Sequence, residues 1–330
     1  MRPLFLSSAI VLAVAVFGNA FAAEPWVRVG SGTLAWLRTI HFPDARNGWI
    51  GGSDGILLRS TDGGVQWSKA ESPTANDIKD VYFSSPKRGW ILAEASPFGR
   101  SGESTELFET ADGGDTWSPI AIESGPERFV RFVPGFDRGI AFIVGEMGTI
   151  LTPTADKSRF TRTRFSSKAL LMSGQMTSQS RGTIVGGNGT ILYTEDAGGT
   201  WMPATVPSSR SRLNSVYYVD TKLGWAVGAK GRIFSTQDGG GKWRDLSPGV
   251  DTDLNDVYFV DAKTGFAAGD DGVVLRTNNG GSTWVRELTS MNRRFERIGF
   301  NGTAAFLVGF GGMILTDRSA LGRQKPDRIF

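Results

Sequence analysis

The residues best placed to do chemistry are acidic and recur in one phrase. Residues 110–117 read TADGGDTW, and the phrase returns at 60–67 (STDGGVQW), 194–201 (TEDAGGTW), 236–243 (TQDGGGKW) and 277–284 (TNNGGSTW). Asp62, Asp112, Asp196 and Asp238 hold the acidic position, and Asn279 takes it in the last copy. A repeated carboxylate suits general acid–base work or a calcium site. It suits a loop fastener as well, because a carboxylate in a Gly-rich turn accepts backbone N–H bonds and holds the turn closed. Asn279 favours the fastener, since an amide keeps the acceptor oxygen and loses the acid–base function. The phrases close on Trp67, Trp117, Trp201, Trp243 and Trp284, large rings suited to burial between neighbouring units.

A second set of candidates is basic. Arg38, Lys79, Arg128, Arg131, Arg212, Arg293, Arg294 and Arg297 each lie just before or at the start of the first strand of a unit. Arg128, Arg212, Arg293 and Arg294 are the expected partner-binding residues, because a guanidinium fork matches a carboxylate better than an ammonium does. The competing reading is a solvated rim balanced by Glu123, Glu127, Asp251 and Asp253.

Composition removes other chemistries. Cysteine is absent and His41 is the single histidine, so thiol nucleophiles, zinc–thiolate sites and multi-histidine metal centres are excluded. No metal or other cofactor is expected. With 36 Lys and Arg against 33 Asp and Glu, the charge is too slight for a dedicated nucleic-acid binder. The five tyrosines (82, 193, 217, 218 and 258) fall in strand positions that read as repeat core. A sialidase would need one of them as nucleophile beside an arginine triad.

The elements that must carry these residues are strands. Trp26, Trp67, Trp117, Phe160, Trp201, Trp243 and Trp284 mark a period of about 41 to 50 residues, the length of a four-stranded propeller blade. Residues 213–218, 224–228, 232–236 and those from Trp243 onward show the grammar of one unit, with a tight turn at 229–231. The third unit keeps the spacing from Gly148 to Phe160, and its phrase reads as eroded, with Asp and Gly lost. The seventh unit, 295–316, stops after three strands. Trp26-Val-Arg-Val29 resembles Trp243-Arg-Asp-Leu246, so the first mature strand is predicted to complete the last blade. The fold expected is an all-β, seven-bladed β-propeller of four-stranded blades, closed by its N-terminal strand and spanning 23–316. A polar tail follows at 317–330.

The loops leaving the fourth strands, with those joining strands two and three, form one face, where propellers usually bind ligands. The longest insertion on it, 95–106 (ASPFGRSGESTE), belongs to the second unit. At the N-terminus, Arg2, an apolar run over 4–17 and the small residues of Ala20-Phe21-Ala22 read as an export signal over residues 1–22. The run is short for a membrane span, and no Cys follows it to mark a lipoprotein. A monomeric, exported chain is expected, in the periplasm.

The phrase is the Asp-box, or BNR repeat, shared by sialidases, other glycosidases and non-enzymatic propellers, so it assigns no function alone. The whole unit, best seen at 37–67, 213–243 and 254–284, resembles the photosystem II stability and assembly factor family. That resemblance implies a non-catalytic scaffold that binds a subunit of a membrane protein complex through an Arg-rich patch, without stable membrane insertion of its own. The alternative is a carbohydrate-binding or glycoside-hydrolase-like propeller of the cell envelope.

Overall fold

The computed structural model describes residues 26–94, 105–137, 139–165, 168–207 and 210–317. The expected export signal 1–22, residues 95–104 of the insertion and residues 318–330 of the expected tail lie outside them. Seven antiparallel sheets succeed one another in the ring order predicted, spanning 37–69, 77–119, 129–164, 171–203, 213–245, 254–286 and 295–317. We number these blades one to seven.

Each blade begins with an inner strand such as Leu37–His41 or Leu254–Phe259. Its leading apolar residue (Leu37, Ile78, Phe129, Leu171, Leu213, Leu254 or Phe295) is fully buried. In five blades the second strand, such as Gly48–Gly52 or Gly224–Gly228, is buried along its whole length. Sheets covered on both faces require such unbroken apolar runs. The outermost strands of blades one, two, five and six are two exposed residues each. Shortness with Lys69, Pro119, Arg244 or Arg286 blunts these edges against pairing with another chain.

The ring closes as the sequence predicts. Trp26–Val29 pairs antiparallel with Met313–Asp317, setting Trp26 opposite Asp317 and Val29 opposite Ile314. The last blade thus takes three strands from the end of the chain and one from its beginning.

The Asp-box is a fastener. Asp112 Oδ1 accepts from the Thr110 hydroxyl (2.8 Å) and the Thr116 amide (2.9 Å), and Gly113 N donates to Lys87 O in the facing turn (2.8 Å). Asn279 keeps the acceptor bonds through Oδ1 and turns its amide to donate to Thr283 Oγ1 (2.9 Å). Gly114, at φ 85°, lies against the ring of Trp49 in blade one, and a Cβ there would come within 2.4 Å of it. The box therefore docks each blade onto the second strand of its predecessor. Of the five box tryptophans only Trp243 is fully enclosed; the others are half-buried over rings such as Trp49 and Phe83. The deepest indoles are Trp49 and Trp225 of the second strands.

Blade three departs from expectation twice. Its box is shortened and not lost: Asp156 accepts from Thr154 Oγ1 (2.5 Å) and from the Ser158 amide and hydroxyl. Lys157, at φ 57°, takes the left-handed position that glycine holds in four boxes and Ala197 (φ 60°) in the blade-four box. Residues Ala121–Ile122 also pair in parallel with Arg159–Arg164, adding a fifth strand that laces blade two to blade three. Glu127 is buried beneath that strand between Arg162 and Arg164.

Hydrogen bonds from Thr116 hold the Asp112 carboxyl down at about 2, and those from Thr154 do the same for Asp156. Folded values below the ordinary 3.8 mean that these groups stabilise the fold above about pH 4 and stop doing so as pH falls through about 2. The melting temperature should drop over that interval, and Asp112→Asn should flatten the drop with little effect at pH 7. An unchanged acid limb in Asp112→Asn would reject this.

Candidate functional site

The turns joining second to third strands share a face with the loops that leave the fourth strands. Gly272 shows how tightly they meet: its N–H donates to Arg293 O (2.9 Å), and a Cβ would stand 1.7 Å from Met291 O. At the centre of this face the axial channel opens in a cavity of about 260 Å³ lined by Arg38, Lys79, Arg131, Arg212, Arg294 and Arg297, with Asn214, Asn255 and Glu296. Six of the eight basic residues singled out from sequence therefore converge on one mouth.

Two consecutive positions of each inner strand reach the axis, and a bulge explains why. Register shifts fall between Leu37 and Thr39, Ile78 and Asp80, Leu254 and Asp256, and Phe295 and Arg297. The extra residue breaks the two-residue alternation. Arg38 and Thr39 can both line the channel while Leu37 stays in the core.

The mouth is not a bare positive patch. Arg38 pairs with Asp77 (2.9 Å), Lys79 with Glu94 (2.6 Å), Arg128 with Glu94 (3.1 Å), and Arg212 with Asp253 (3.0 Å). Arg294 is held by Glu296 (2.6 Å) and Asp270 (3.2 Å). Burial works to lower the Arg294 pKa, and these carboxylates outweigh it, leaving the group above its ordinary value and firmly charged. Of the acids expected to balance the rim, Asp253 does so, whereas Glu127 serves Arg162 and Arg164. Among the described residues Arg293 has no ion pair; its guanidinium lies over Phe310, 5.9 Å from the ring centre. Of the four expected partner-binding residues, Arg212 and Arg294 line the mouth, Arg128 sits on its rim beside Glu94, and Arg293 points to the turn of blade seven.

Below the mouth a belt of seven residues, one from each blade, crosses the channel: Thr39, Asp80, Arg131, Ser173, Ser215, Asp256 and Arg297. Arg131 donates to Ser173 Oγ (2.8 Å) and Ser215 Oγ (3.1 Å) and faces Asp256 (3.5 Å); Arg297 faces Asp80 (3.5 Å). Thr39 donates to Asp80 (2.7 Å) and Ser215 to Asp256 (2.5 Å). Each aspartate also accepts from a backbone amide of the next blade, Phe132 for Asp80 (3.0 Å) and Ile298 for Asp256 (2.9 Å). Burial raises the pKa of both carboxyls, and Arg131 opposes that rise. Two cations and two anions thus form a neutral plug. Sequence reasoning noticed Arg131 and Arg297 but missed Asp80 and Asp256. The signal was present, since the third inner-strand position is polar in every unit.

On the far side of the belt lies a vestibule of about 420 Å³, walled by His41, Tyr82, Gln175, Tyr217 and Tyr258. Three of the five tyrosines thus line the channel while also packing against the blade cores, and Tyr218 is fully enclosed. His41 Nε2 lies 2.9 Å from Phe83 O, and burial lowers its pKa, so the ring is neutral, with Nε2–H donating. Burial likewise pushes the Tyr217 and Tyr258 hydroxyls upward.

Comparison with known proteins places this architecture. A solved structure of YCF48 bound to D1 peptide superposes with a TM-score of 0.70 at 21% identity, covering 90% of this chain and 96% of that one. YCF48 from Cyanidioschyzon merolae superposes equally well at 20% identity, covering 89% and 98%. Virginiamycin B lyase from Staphylococcus aureus reaches 0.72 at 12% identity, covering 88% and 98%, so these likenesses establish the fold alone. The Photosystem II assembly lipoprotein Ycf48 of Synechococcus sp. (strain CC9902) is 32% identical over 118 residues, 35% of this chain. The chain spans about a third of the length of that curated relative (33%). The family described as Photosynthesis system II assembly factor YCF48 matches residues 65–171, 153–249 and 242–324. Those three matches cover most of the propeller, and the chain belongs to that family.

Proposed function

We propose that this protein is an exported, non-catalytic scaffold that assists assembly or stability of a membrane protein complex by holding an exported segment of one subunit at the channel mouth. The observation that carries the reading is the convergence of Arg38, Lys79, Arg212 and Arg294 on one cavity. Each guanidinium offers five donors; carboxylates take one from Arg38, one from Arg212 and three from Arg294. The remaining donors suit a C-terminal carboxylate or an acidic side chain arriving from above. Family membership supports a client from photosystem II in a photosynthetic host and an envelope complex elsewhere, with the protein in the thylakoid lumen or periplasm accordingly.

The state of the inward-facing groups supports a binding role. Asp80 and Asp256 are both engaged by arginine and backbone, and the Tyr217 and Tyr258 hydroxyls are shifted away from nucleophilic ionisation. In the described residues, no helix is long and apolar enough to cross a membrane.

The test is binding of a synthetic peptide with a free C-terminal carboxylate against its amide. Arg212→Glu or Arg294→Glu should weaken the carboxylate peptide at least about tenfold, the effect of losing one charge-assisted bond and adding repulsion. Arg212→Lys, which keeps charge and loses the fork, should fall between. Both side chains are partly exposed (44% and 39%), so folding should survive. Equal capture by wild type and both charge reversals would end this reading.

A further inference from the structure

Beside the mouth, above blades seven and one, lies a feature that the charge pattern does not explain. Leu34 is 85% exposed and Phe310 is 48% exposed. They are brought together by the backbone: Gly312 N donates to Ala35 O (2.7 Å), and Ser31 Oγ donates to Gly312 O (2.6 Å). Trp36 stands edge-on to Phe310 at 5.6 Å, and Arg38 covers the Trp36 ring at 4.2 Å. Arg293 lies over Phe310. An isolated exposed leucine needs no explanation, but an exposed leucine and phenylalanine backed by an indole make an apolar shelf.

The shelf and the mouth are continuous. Arg38 lines the cavity with one side of its guanidinium chain and roofs Trp36 with the other, while neighbouring Arg294 and Arg293 divide between cavity and shelf. Apolar shelf and cationic mouth are therefore presented together to whatever docks from this face. Such a pairing of a large apolar contact with a desolvated charge contact is the composition of an interface centre.

We propose that the shelf of Leu34, Trp36 and Phe310 is a specificity pocket for a large apolar side chain of the same peptide whose carboxylate enters the mouth, so that the bound segment runs outward over blades seven and one. The proposal rests on the peptide reading given above. It commits the client to a chain end that carries an aliphatic or aromatic residue within a few positions of its terminal carboxylate. Arg293, without an ion pair among the described residues, is placed to meet the peptide backbone or an acidic neighbour of that side chain.

The test uses the full mature protein and four fluorescent peptides of one length. They end in a free carboxylate or an amide, and each carries either Leu or Ser near the end. Wild type should bind the Leu carboxylate peptide about tenfold more tightly than its Ser counterpart, roughly what half-burying a large apolar side chain supplies. Leu34→Ser with Phe310→Ser should erase that preference and leave affinity for the Ser carboxylate peptide unchanged. Because both residues are exposed, the melting temperature should hold, which separates lost contact from lost fold. Carboxylate dependence without a Leu preference overturns the shelf and leaves the mouth standing. A Leu preference that survives the double substitution overturns the shelf too. A Leu preference lost in the double variant but indifferent to the terminal amide supports the shelf and overturns the mouth.

Discussion

Trp26→Ala should destabilise the protein by about 3–5 kcal/mol, the usual cost of truncating an enclosed tryptophan. The indole is 3% exposed and meets Phe266 of blade six edge-on at 5.8 Å. Its Nε1 donates to Glu287 Oε2 at 2.6 Å, and Glu287 also faces Arg276 of blade six. Its backbone meanwhile pairs with blade seven. One side chain thus joins the start of the chain to two blades, with no disulfide to share the load. Trp26→Phe keeps most of the buried ring and loses the bond to Glu287, so it should cost less than the alanine variant. Urea unfolding read by far-ultraviolet circular dichroism checks both. A loss under about 1 kcal/mol in Trp26→Ala would mean that closure rests on the backbone pairing alone.

The second large effect concerns the belt. Asp256→Ala removes the carboxylate that faces Arg131 and accepts from Ser215 and the Ile298 amide. It leaves Arg131 a buried cation without its counter-ion, held only by Ser173 and Ser215, and the Ile298 N–H without its acceptor; breaking such a pair costs about 3–5 kcal/mol. Asp256→Asn keeps an acceptor for one of those donors and should cost less. If the cost lies in the stranded charge, adding Arg131→Met to Asp256→Ala should restore part of the stability, so that the two changes are not additive. Strict additivity in the double-mutant cycle would argue that belt charges act independently.

The ring was legible in the sequence because its evidence is periodic. Tryptophans recur at nearly fixed intervals, and Trp26 stands where the seventh unit lacks one. The basic mouth was legible in part, since Arg38, Arg131, Arg212 and Arg297 stand at comparable points of their repeats. Their pairing was not. Asp77 and Asp253, which hold Arg38 and Arg212, lie about one repeat further along the chain, and only the ring geometry brings them back. The third Asp-box was missed because Asp156 lies one residue closer to its ring than the other boxes allow. A lysine in the left-handed conformation then stands where glycine was sought.

The neutral belt has a mechanical consequence. A ring with a central opening suggests a bead on a string, yet Arg131 and Asp256, with Arg297 and Asp80, set ion pairs within this opening at mid-height. A polypeptide held on the arginine side, as proposed, would have to break these pairs to reach the tyrosine side. The proposed client would therefore load and unload laterally or from above, as a cap sits on a post. In the proposed binding mode, that geometry would suit a subunit whose other end is already embedded in a membrane, since its free end would not have to travel through the ring.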